Sequence, residues 1–146
     1  SSEYAERLQV LRPEPRRNVP DAIAVAVHDV AKAIHAKAVI VYTTSGATAW
    51  RLARMRPLVP ILAMTPRISV RNQMNMLWGV HPVVVAPPTS TDEMVAVAKR
   101  IVQEEDMAQV GDEVVIAAGI PSAQPNVTSL VRVEAVRNML RVETIR

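Results

Sequence analysis

Alternating helical and strand periodicities predict an α/β fold, an open and mostly parallel sheet with helices on both faces. Three observations carry that expectation. Short apolar runs recur at Ala38–Tyr42, Ile61–Met64 and Val114–Ala118, as strands buried on both faces do, and Val80–Ala86 gives a further strand. Stretches with apolar residues at three- and four-residue spacing lie between them. The resulting order of helix, strand, helix, strand, helix, strand, helix, strand, strand calls for right-handed crossovers and a layered arrangement.

The elements follow in order. Residues 1–17 read as an arm or linker: Tyr4, Leu8 and Leu11 could share a helical face, but Arg12-Pro13-Glu14-Pro15-Arg16-Arg17 breaks it. A single domain then spans residues 18–146. Asn18 or Asp21 can cap a helix starting near Pro20, with Ile23, Val27, Val30 and Ile34 as its apolar stripe. Ala38–Tyr42 is the first strand, and a second helix ends near Met55 before Arg56-Pro57. Ile61–Met64 is the second strand. Thr65 is expected to cap a third helix, with Pro66 in its first position, running from Arg67 to Trp78 and stopped by Gly79. Val80–Ala86 is the third strand. Ser90-Thr91-Asp92-Glu93 resembles a capping box before a fourth helix that buries Met94, Val97, Ala98 and Ile101. Val114–Ala118 is the fourth strand. Leu130–Val136 alternates Arg132 and Glu134 with Val131, Val133 and Ala135, the texture of an edge or half-exposed strand. The tail Asn138–Arg146 has no assignment.

Composition bounds the function classes. The chain has 146 residues, 49% hydrophobic and 21% charged, which is globular rather than disordered. Aromatics make up only 3% with no Phe, so Val, Ala, Ile, Leu and Met must build the core. The net charge is a mild +3, and Arg51, Arg54, Arg56, Arg67 and Arg71 read as solvated helix faces or a subunit contact rather than a nucleic-acid stripe. With no Cys, disulfides and thiolate metal sites are excluded, and His28 and His35 have no partner ligands in the pattern, so no metal site is expected. No run is long enough to cross a bilayer. The expectation is a soluble cytoplasmic protein with neither nucleic-acid nor membrane partners.

The stretch Tyr42-Thr43-Thr44-Ser45-Gly46-Ala47-Thr48-Ala49 stands apart. A strand stops at small hydroxyl residues and one Gly, and a helix follows. Backbone N–H groups at the helix start, its positive dipole end and several hydroxyls suit a phosphate or another anion. The other reading is that Thr43, Thr44 and Ser45 only cap the helix. In open α/β sheets ligands bind beyond the carboxyl ends of the strands, where this turn and the loop Gly119–Asn126 both fall. They face each other if the first and fourth strands are neighbours.

Several segments resemble the C-terminal domain of pyruvate kinase, over roughly Asp21 to Val136. Lys37–Val41 leads into Thr43-Thr44-Ser45-Gly46-Ala47-Thr48-Ala49, like the family's strand and Thr-x-Ser-Gly-x-Thr-Ala loop. Arg56-Pro57 with Val59–Pro66, then Trp78-Gly79-Val80-His81-Pro82-Val83, then Gly111–Pro121, resemble family segments in the family's order. The resemblance implies a three-layer fold whose sheet has five strands, the last antiparallel. It implies that Thr43, Thr44, Ser45 and Thr48 hold the phosphate of an allosteric effector, that Gly46 lets the backbone approach, and that the loop around Gly119, Pro121 and Gln124 closes over it. A subunit interface in a homo-oligomer is implied as well.

Two departures bear on the effector. Ala47 stands where many members carry Arg or Lys, and the region before Gly111 is acidic. A monophosphate or inorganic phosphate is therefore expected in preference to a bisphosphate. Phosphoenolpyruvate, magnesium and potassium would bind an upstream barrel to which nothing here corresponds, so this domain needs no cofactor and has no catalytic residues of its own. The competing readings are a stand-alone sensor of a phosphorylated metabolite, an oligomerisation module using the fifth strand or the Arg-bearing helices, and a small enzyme. The last would need Ser45 as nucleophile with His81 or Asp112 as base, and no triad spacing supports it.

Overall fold

The computed structural model describes residues 19–118 and 130–137. The arm, the loop 119–129 with the expected closing segment, and the tail lie outside the described residues. In chain order the elements are α1 (Val19–Ala33), β1 (Ala38–Tyr42), α2 (Ala47–Arg54), β2 (Ile61–Thr65), α3 (Ile68–Met74), β3 (Val80–Val84), α4 (Thr91–Glu104), β4 (Glu113–Ala118) and β5 (Leu130–Ala135). The strands form one five-stranded sheet in the order β3-β2-β1-β4-β5. The first four are mutually parallel, and β5 runs antiparallel to β4. This is the predicted three-layer α/β architecture.

Strand alternation divides the core into two layers. Val39 and Val41 of β1 meet Ala24, Val27 and Ala31 of α1, Leu52 of α2, and Val70 and Met74 of α3. Ala38 and Ile40 of the same strand face Met94, Val95, Ala98 and Val102 of α4 on the other side. Three helices thus cover one face and one covers the other. Because β1, β2 and β4 are buried on both faces, their interiors are unbroken apolar runs over Ala38–Val41, Ile61–Met64 and Val114–Ala118. In α1 the most deeply buried positions are Val27 at 0% and Ala24 and Ala31 at 5% exposure. Ile23, Val30 and Ile34 pack only partly against the same layer. Small residues on the contact line let the helix lie close to the sheet.

Three expectations need correction. Thr65 does not cap α3. It is the last residue of β2, fully buried opposite Val84, and its carbonyl accepts from the Val85 N–H. Arg67, in extended conformation, is the N-cap without a side-chain bond, while the Thr65 hydroxyl accepts from the Arg67 N–H at 3.4 Å. Nor does α3 reach Trp78. After Met74 the Met76 and Leu77 N–H groups bond three residues back, to Gln73 and Met74, so the chain tightens into turns before Gly79 at φ 75°. Finally, β3 ends at Val84 and lies at the sheet edge despite its apolar sequence. Pro82 is tolerated there because an edge strand has one side without ladder bonds.

At the opposite edge β5 alternates as expected. Arg132 and Glu134 lie on the α4 side, where Lys99 pairs with Glu134 at 3.7 Å and Arg132 with Glu134 at 2.9 Å. Val131 and Val133 are the more exposed residues, at 38% and 44%. The capping box of α4 forms with a shift of one residue. The Ser90 hydroxyl accepts from the Glu93 N–H at 3.1 Å, and Glu93 reaches back to the Thr89 N–H at 3.0 Å rather than to Ser90.

Candidate functional site at the sheet switch point

The chain leaves β1 for β2 on one side, while β4 pairs with β1 on the other. The carboxyl ends of β1 and β4 therefore flank the point where strand order reverses, the position at which open α/β sheets leave a crevice. Tyr42 ends β1 opposite Ala118, the last residue of β4. Partial burial raises the Tyr42 hydroxyl above its ordinary pKa.

Residues 43–48 make the turn from this edge into α2. Thr43 is buried, and its N–H still bonds the Met64 carbonyl of β2 at 2.9 Å. The Thr43 hydroxyl accepts from the Gly46 N–H at 2.9 Å, and the Ser45 hydroxyl accepts from the Ala47 N–H at 3.2 Å. The two hydroxyls thus shape the turn itself, which is the capping role in part. The N-cap position falls to Gly46, left-handed at φ 85° and without a side chain to offer the first turn of α2. Thr48 is buried in that first turn, and Thr44 is exposed. Thr43, Thr44, Ser45, Gly46 and Thr48 are gathered in one turn at the switch point, whereas Gly119 and Pro121 lie outside the described residues.

The topology disposes of Ser45 as a triad nucleophile. Asp112 precedes β4 at the amino ends of the strands, the opposite edge from Ser45, and its carboxylate accepts from the Gln109 N–H at 2.8 Å. His81 sits on β3, two strands away, with its Nε2 3.4 Å from Glu105. Neither can act as base there. Among the described residues no group of three or more His, Asp or Glu could hold a metal ion, and no helix is long and apolar enough to cross a membrane.

Beside the turn lies a feature that the sequence did not single out. An open groove of about 370 Å³ runs between α2 and α3, with Ser45, Gly46 and Ala47 at one end. Trp50, Met74 and Leu77 supply its apolar lining and Gln73 a polar edge. Trp50 is 47% exposed, and the Arg54 guanidinium stands 4.6 Å from its ring centroid. Arg51, one residue on, pairs with Asp21 of α1 at 3.2 Å. The scarcity of aromatics could have drawn notice to Trp50, but nothing in the helical spacing of Gln73, Met74 and Leu77 distinguishes groove from core.

The fold and turn define an open α/β domain with a hydroxyl-lined loop at its switch point. Comparison with known proteins makes the assignment specific. The family model for the pyruvate kinase alpha/beta domain matches residues 21–134, and the chain belongs to the pyruvate kinase family as its C-terminal domain. It is 37% identical over 130 residues to a pyruvate kinase of Methylorubrum extorquens, covering 89% of this chain and 27% of that protein. A pyruvate kinase of Agrobacterium vitis is 38% identical over 130 residues, with the same shares. Among solved structures, a pyruvate kinase from Cryptosporidium parvum superposes with a TM-score of 0.75 at 25% identity, over 85% of this chain and 24% of that one. The same organism's enzyme in complex with ADP gives 0.75 at 26%, over 85% and 25%. The chain thus spans about a quarter of the length of these relatives.

Proposed function

We propose that this domain is the regulatory and assembly module of a pyruvate kinase and binds a phosphorylated metabolite or inorganic phosphate at the Thr43–Thr48 turn. In the whole cytoplasmic enzyme, phosphoenolpyruvate and ADP would give pyruvate and ATP within a separate barrel, which would also hold magnesium and potassium. The observation that carries the reading is the turn at the switch point. Hydroxyls of Thr43 and Ser45 accept from the Gly46 and Ala47 N–H groups and fix its backbone, and Gly46 at the N-cap position has no side chain to bond the N–H groups further into the first turn of α2. An anion there would meet N–H groups and the positive end of the helix.

The test is thermal. Inorganic phosphate, ribose 5-phosphate and fructose 1,6-bisphosphate are titrated into the parent and into a Ser45→Ala, Thr48→Ala variant, each referred to its own ligand-free melting temperature. A ligand at one hundred times its Kd stabilises by about 2.7 kcal/mol. Melting temperatures that rise with ligand in the parent and not in the variant support the reading. A parent that responds to none of the three overturns it.

The assembly role is supported by β5, whose Val131 and Val133 are 38% and 44% exposed on an outer strand. Like most homo-oligomers, such a module would pair the same surface on two copies.

A further inference from the structure

The two edges of the sheet differ. On one side β5 has no proline along Leu130–Ala135, and on the other β3 holds Pro82 at its centre. Among the described residues no strand lies beyond either. The ladder fixes which way the proline faces. The Gly79 carbonyl accepts from the Ile61 N–H at 3.0 Å, and the Val85 N–H donates to the Thr65 carbonyl at 2.9 Å. In a parallel ladder every second residue turns its main chain to the same neighbour. The odd-numbered residues of β3 therefore bond β2, while Val80, Pro82 and Val84 turn their main chains outward.

That outer side is short of donors. The Val80 N–H is taken by the Leu77 carbonyl at 3.3 Å, and Pro82 has no N–H to give. Of the three, the Val84 N–H is left to meet an incoming strand. In other respects the segment invites one. Val83-Val84-Val85-Ala86 is uncharged and mostly β-branched, and Val84 is 44% exposed. Segments of about six or seven residues with strong strand preference, low charge and no proline are those that stack into cross-strand ladders. Val80–Ala86 has that length and texture, interrupted by Pro82 alone. A proline at an inward position would cost the sheet a bond to β2. At position 82 it costs the sheet none and a visiting strand its middle one.

We propose that Pro82 closes the β3 edge to a strand from a second copy of this chain, which leaves β5 as the edge open to pairing. Light scattering of the full chain over a wide concentration range tests this. Pro82→Val and Pro82→Ala each restore the outward N–H. Their mass should rise with concentration to at least two-fold above the parent's. If the parent itself pairs through β5, as proposed above, two open edges per copy give chains that need not close, and the mass should climb past that of the pair. The parent's own mass reads the β5 pairing, and the difference between variant and parent reads this inference.

Hydrogen exchange places the contact. The new amide at position 82 should be protected in the associated variant and exchange freely on dilution. Adding Val84→Pro to Pro82→Val withdraws the last outward donor without touching a bond to β2, and should bring the mass back to the parent's. Variants that keep the parent's mass at every concentration overturn the proposal. So does association in which the amide at position 82 still exchanges freely, or a double variant that melts like the parent yet stays associated. If Pro82→Val and Pro82→Ala both lose cooperative melting even when dilute, Pro82 is a requirement of the fold itself and the proposal falls.

Discussion

Gly46→Ala tests whether the turn at the switch point has the backbone described. Gly46 is left-handed at φ 85°, where an L side chain brings its Cβ too near the following carbonyl, at a cost of about 1–2 kcal/mol. The packing environment adds little. A Cβ there would stand 3.4 Å from Val70 Cγ1 and 3.5 Å from Met74 Cγ, ordinary van der Waals contacts. Against the strain, Ala restricts the unfolded chain, which offsets about 0.4–1 kcal/mol. The net expectation is a loss of about 1 kcal/mol, or about 3 °C in melting temperature for a domain of this size. Two companions make the number interpretable. Gly79→Ala, at φ 75° with nothing within 4 Å, should cost a similar amount by the same strain without any contact. Gly46→Asn should cost less, because Asn visits the left-handed region more readily. Urea denaturation with unchanged m-values measures all three. If Gly46→Ala were as stable as the parent while Gly79→Ala lost about 1 kcal/mol, the left-handed turn would not be needed and the site geometry would be wrong.

Two further outcomes follow from the packing and the caps. Leu52, 2% exposed between α2 and the sheet, should cost about 2–5 kcal/mol when truncated to Ala, and a loss under about 1 kcal/mol would contradict its place in the core. Glu93 has its pKa held below the ordinary carboxylate value by hydrogen bonds from the Thr89 hydroxyl and N–H. A depressed folded pKa contributes stability above the unfolded value and loses it as pH falls through the folded one. Thr89→Val should therefore raise the Glu93 pKa in an NMR titration and lower the melting temperature at neutral pH, with the gap closing in acid. An unmoved Glu93 titration would refute the cap.

How far the chain could be read without coordinates depended on whether local signals met tertiary demands. The strands β1, β2 and β4 were plain because burial on both faces forces unbroken apolar runs, and Ser90 marked the start of α4 because its hydroxyl has a local partner in the Glu93 N–H. Thr65 failed as a cap for the opposite reason. Its backbone is claimed by pairing with β3, a contact from outside its own segment. At β3 the apolar run Val83–Val85 read as buried, whereas Pro82 beside it is the residue an edge strand tolerates, and pairing settled the edge position.

The same division holds for the site. The sequence by itself determined the hydroxyl turn with its one glycine and the α/β class, which follow from residues close along the chain, while the left-handed backbone of Gly46 came from the structure. Only the tertiary structure decided that β1 and β4 are neighbours, which makes the turn a switch point, and that Asp112 and His81 lie out of reach of Ser45. It alone brought Trp50 of α2 beside Gln73, Met74 and Leu77 to make a groove opening on that turn. A groove between two helices belongs to neither sequence segment, because its width is set by how the helices seat on the sheet.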